Sequence, residues 1–150
     1  MRRSIAAAFA LVAASSLNAQ TVDYTTATPL PGTWVYSAAA DGSEAMFVST
    51  GTQPQVVIHC TRLTRQVTIA KPASGAAPFL YVWTTSLSRS LPSSFNPMTA
   101  RLSATLGAYD PLLDALAFSL GRVAVTVAGQ PPLVVPAWAE VARVIEDCRA

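Results

Sequence analysis

The chain has 150 residues, 51% of them apolar, with ten basic, eight acidic, one histidine and two cysteine side chains. That length suits one domain with a real core. Arg2 and Arg3 fall in a leader, and without them basic and acidic residues balance at eight each, which excludes nucleic-acid binding through clustered positive charge.

The first nineteen residues have the form of a secretory signal peptide. Arg2 and Arg3 make its positive start, Ile5 to Ala14 is an unbroken apolar run, and Ala19 sets a small residue before Gln20. Cleavage is expected between Ala19 and Gln20, within a few residues because Leu17 stands where a small side chain is usual. An apolar run of about ten residues is too short to span a bilayer, which needs roughly 20. The mature chain is therefore expected to be periplasmic or secreted, with no membrane span. Export makes a disulfide the default for Cys60 and Cys148. The other reading is two buried thiols that never meet. A bridge would be structural, since no CxxC pair is present.

Residues 20–32, rich in Thr and carrying Pro29 and Pro31, read as a flexible or strap-like arm before a single β-rich domain over 33–150. Thr33 to Ser37 favours a strand, Asp41-Gly42 a turn, and Glu44 to Ser49 the returning strand. In Val56 to Cys60 the period of two puts Val56, Ile58 and Cys60 on one face and His59 on the other. Gln66 to Ala70 alternates with Val67 and Ile69 inward, and Lys71 to Pro78 reads as a loop. Phe79 to Thr85 is a strong strand whose Phe79, Tyr81 and Trp83 make an aromatic stripe. We read that stripe as a core or inter-sheet layer ahead of a ligand platform. Ser86 to Pro97 reads as mostly loop, and Thr99 to Leu106 as a half-buried strand.

Asp110 and Pro111 then supply a cap and a first helical position for a short helix ended by Gly121. Arg122 to Val127 and Leu133 to Val135 read as a hairpin. A last helix is expected from Pro136 to about Asp147, docking Trp138, Val141, Ile145 and Cys148 on the sheet. Glu140–Arg143 and Arg143–Asp147 would pair on its wet side. The sum is β-rich α+β. It is an antiparallel sandwich or open barrel of about eight short strands, with a short helix and a C-terminal helix packed on the sheet.

The chemical inventory is thin, and no catalytic residue is assigned. One histidine cannot build an ordinary zinc site, so neither metal nor cofactor is expected. His59 and Cys60 point to opposite faces and make no dyad, and no nucleophile elbow or phosphate-cradling loop is present. Arg89, Arg101 and Arg122 are the uncommitted polar residues and the candidate binding set, with salt-bridged surface as the duller reading.

The segment Asp110 to Ser119, with Gly121-Arg122 and the ending Arg143-Val144-Ile145-Glu146-Asp147-Cys148-Arg149, resembles a group of small exported alphaproteobacterial proteins of unknown function. The likeness runs from Trp34 to Arg149. It departs at Leu120, where that group carries an arginine before the glycine. The strand layout around an early Trp and a late Cys is more distantly similar to invasion-associated locus B proteins, which are periplasmic, β-rich and without an established enzymatic activity. The resemblance implies export and supplies no catalytic residue. The expected function is an exported non-enzymatic β-domain binding a protein or cell-envelope component. The alternatives are a small envelope hydrolase using His59, or a subunit of an envelope complex meeting its partner through Tyr81 or Trp83.

Overall fold

The computed structural model describes residues 22–150. The expected leader over 1–19 and the bond between Ala19 and Gln20 lie outside the described residues. The strands begin with β1 (Thr33–Ala39), β2 (Gly42–Val48), β3 (Pro54–Thr61), β4 (Gln66–Pro72) and β5 (Phe79–Trp83). They continue with β6 (Ser88–Pro92), β7 (Ser94–Asn96) and β8 (Arg101–Gly107). After helix α1 (Pro111–Ala117) come β9 (Arg122–Thr126), β10 (Leu133–Pro136) and helix α2 (Ala139–Arg149). One sheet has six strands in the order β1-β2-β3-β4-β8-β7, and the other has four in the order β10-β9-β5-β6. All pairings are antiparallel. The outcome is a sandwich-like β-rich fold.

Alternation decides which side chains enter the core. The larger sheet sends in Ala45 and Phe47, then Val56, Ile58 and Cys60, then Val67 and Ile69, then Leu102 and Ala104. The smaller sheet answers with Leu80, Val82, Val123, Val125 and Val135, and the helices add Leu112, Leu113, Leu116, Val141, Val144 and Ile145. Trp34 joins the layers. Its indole Nε1 donates to the Pro136 carbonyl at 2.8 Å, and its ring meets Phe47 edge-on at 5.5 Å.

The same rule reverses the expected role of the aromatic stripe. Leu80 and Val82 occupy the core side of β5, so Phe79, Tyr81 and Trp83 face outward, with Phe79 exposed. Two strands, β6 and β7, form in the segment read as loop. Each is an edge strand, β6 beside β5 and β7 beside β8, so ladder pairing outweighs the weak β-propensity of serine. Leu91 is the residue of β6 that enters the core.

Helix α1 starts as expected: Asp110 accepts a hydrogen bond from the Leu112 N–H at 2.8 Å, with Pro111 next. It ends at Ala117, ahead of Gly121. Helix α2 starts later than Pro136, because that residue closes β10 opposite Arg122 and its carbonyl serves Trp34. Trp138 is therefore the residue before the helix and is 44% exposed, and the docked face is Val141, Val144, Ile145 and Cys148. Arg143 and Asp147 turn to β1 instead of forming the expected pair: the guanidinium lies 3.8 Å from the Tyr36 ring centre, and Asp147 accepts from the Tyr36 hydroxyl at 2.7 Å.

Cys148 is bonded to Cys60, with the two Cα atoms 5.5 Å apart. Among the described residues no helix is long and apolar enough to cross a membrane. Residues 22–32 cross the smaller sheet. Tyr24 packs on Trp83 at 5.6 Å, Ala27 accepts from Arg122, and the Leu30 N–H donates to the Val134 carbonyl at 2.8 Å.

Candidate functional site

His59 stands on the outer face of the larger sheet, opposite Glu44 of β2 and Thr68 of β4. Its Nε2 is 3.0 Å from Asp41 Oδ2, in the β1–β2 turn, and its Nδ1 is 3.6 Å from Glu44 Oε2. The hydrogen bond from His59 holds the Asp41 carboxyl below its ordinary value. Ser37 donates to the other Glu44 oxygen at 3.3 Å.

Both ring nitrogens thus face carboxylates. A general base needs one nitrogen turned toward the hydroxyl it deprotonates, and among the described residues no hydroxyl hydrogen-bonds this ring. The two nitrogens also look in different directions, so one ion could not collect the ring and both carboxylates. No group of three ligating side chains suited to a metal occurs among the described residues.

The three candidate arginines are spread over β6, β8 and β9. Arg89 Nη2 reaches both Asp110 oxygens at 2.7 and 2.8 Å, clamping β6 to the start of α1. Arg101 Nη2 donates to the Pro54 carbonyl at 3.2 Å. Arg122 holds the Ala27 carbonyl of the N-terminal segment. Each guanidinium serves a different intramolecular partner.

A more coherent feature lies where β5 leads into β6 and α1 leads into β9. The turn 84–87 is closed by Thr84, whose N–H donates to the Leu87 carbonyl at 3.0 Å and whose hydroxyl donates to it at 2.7 Å. The Thr85 N–H donates to Ser119 Oγ at 3.1 Å, and Ser119 passes its own proton to the Arg122 carbonyl at 2.7 Å. The Leu120 N–H returns to Thr85 Oγ1 at 3.1 Å. Two loops are thereby cross-linked by polar groups, with Thr84 and Ser119 buried.

What these loops hold outward is apolar. Phe118 and Leu120 are each 78% exposed and Leu87 is 37% exposed. Beside them lies a groove of about 380 Å³ lined by Ser86, Leu87, Pro111, Asp114, Ala115 and Phe118. Large apolar side chains on rigid backbone lose little conformational entropy when a partner covers them.

Sequence reasoning passed over this patch because the short helix was taken to run up to Gly121, whereas it ends at Ala117 and leaves Phe118 and Leu120 on the following loop. The available signal was their position after the helix and against Gly121, whose φ of +78° belongs to a turn. Comparison with known proteins adds no identity: no family model, no curated protein and no solved structure matches the chain.

Proposed function

We propose that the chain is an exported, non-enzymatic β-domain that binds a protein or other component of the cell envelope through the Leu87–Phe118–Leu120 patch. The observation that carries this reading is the pairing of strong exposure with a fixed backbone. Phe118 and Leu120, each 78% exposed, sit on loops tied together through Thr85 and Ser119. Exposed apolar groups on a loose loop would be a liability, whereas held in place they form a contact surface. Periplasmic or secreted placement rests on the leader-like residues 1–19 and is in keeping with the disulfide. The resemblance to small exported proteins and to invasion-associated locus B proteins points the same way.

The test immobilises the purified protein and asks what it retains from solubilised envelope fractions. One reproducible component should be retained by wild type and lost in a Phe118→Ser/Leu120→Ser variant whose melting temperature is unchanged. Equal retention by that variant defeats the patch assignment. The competing reading, a hydrolase using His59, requires turnover on a peptidoglycan, ester or peptide substrate that disappears in His59→Ala. That result would overturn the non-enzymatic reading itself.

A further inference from the structure

Lys71 is the only lysine of the chain. The alternation that sends Val67 and Ile69 inward continues to it, so β4 carries an amine into the sandwich, where the residue is 5% exposed. Its Nζ donates to Gln130 Oε1 at 2.9 Å. Among the described residues no carboxylate pairs with it. Burial alone pushes the ammonium below the usual lysine range. A buried cation without a counter-charge is costly to the fold.

Lys71 and its partner Gln130 both line a cavity of about 240 Å³. Pro72, Pro131, Pro132 and Leu133 give it apolar walls, and Gln55 and Gln130 bring two amides. We propose that this cavity is a binding site for a small carboxylate with an apolar body, the anionic head on Lys71 Nζ and the body against the prolines. Gln130 accepts from Lys71 through Oε1 and keeps its Nε2 as a second donor for the head. Phosphate fits poorly. Its recognition draws on several convergent backbone N–H groups, and three of the seven lining residues are prolines, which have none. The space is smaller than the pockets that hold drug-sized ligands, which suits a short-chain acid.

The experiment titrates isotope-labelled protein with butyrate and hexanoate, with butyramide and inorganic phosphate as controls, following amide resonances by NMR. Saturable shifts at Lys71, Gln130 and Leu133 are expected with the acids. Affinity should be at least tenfold weaker for butyramide and for phosphate. Lys71→Met should lose acid binding at least tenfold, and Gln130→Leu, which leaves the core stripe intact, should weaken it several-fold. No saturable shift with either acid overturns the proposal. Equal binding of butyrate and butyramide, phosphate binding as tight as butyrate, or unaltered affinity in Gln130→Leu does the same.

Discussion

Asp110 answers to two partners at once: the Leu112 N–H at the head of α1 and the Arg89 guanidinium on β6. Burial raises its pKa, but the Arg89 and Leu112 hydrogen bonds outweigh that, and the net position is below the ordinary carboxylate value. The folded state therefore favours the ionised form. Its contribution to stability is complete above the unfolded pKa near about 4 and is lost as pH falls through the lower folded value. Asp110→Ala should cost about 1–2 kcal/mol at neutral pH, from the lost cap together with an unpaired Arg89. Asp110→Asn retains a good capping side chain and should cost less, while shrinking the stability lost as pH falls below about 4. Urea unfolding midpoints of the three proteins at neutral and acid pH measure both effects. A uniform acid loss across all three would place the titrating group elsewhere.

At the scale of elements, legibility followed the strength of the periodic signal. β3, β4 and β8 alternate cleanly, and each buries the face its sequence nominates. β5 alternates just as cleanly but offers two apolar faces, Phe79-Tyr81-Trp83 and Leu80-Val82. Periodicity cannot choose between them, and the compact aliphatic pair won the interior. β6 was invisible because an edge strand rests on its neighbour's ladder, and only Leu91 needed to be apolar. The start of α2 was obscured because Pro136 suits a first helical turn in isolation. Its carbonyl is taken by Trp34, 102 positions away, which no local pattern encodes. Trp34→Phe keeps the ring against Phe47 but removes that donor. The variant should be less stable by about 1–2 kcal/mol, with an unchanged far-ultraviolet circular dichroism spectrum. A loss confined to a few tenths of a kcal/mol would mean that the bond between the layers matters little.

For the molecule as a whole, the site was less legible than the fold. His59 and the three arginines drew attention by residue type, yet each is turned toward partners within the chain. Lys71 was passed over as the first residue of a loop, although it continues the inward phase of Val67 and Ile69. The cysteines were legible because only one intramolecular pairing was available and both lay on apolar faces. Their bond joins the last helix to β3 across 88 positions. Closing a loop of that length removes unfolded-state entropy worth about 4–5 kcal/mol in the chain model.

Both cysteines are essentially fully buried, so a Cys60→Ala/Cys148→Ala chain should keep its packing and lose chiefly that restraint. Its melting temperature should fall by about 15 °C, and reductant should lower that of the wild type similarly. Thiol titration of the denatured, unreduced protein should find no free thiol. Two thiols there would remove the covalent tie, and the docking of α2 would then rest on the apolar face of Val141, Val144 and Ile145, the Tyr36 contacts, and the bonds of Arg149 to Ala108 and Asp114.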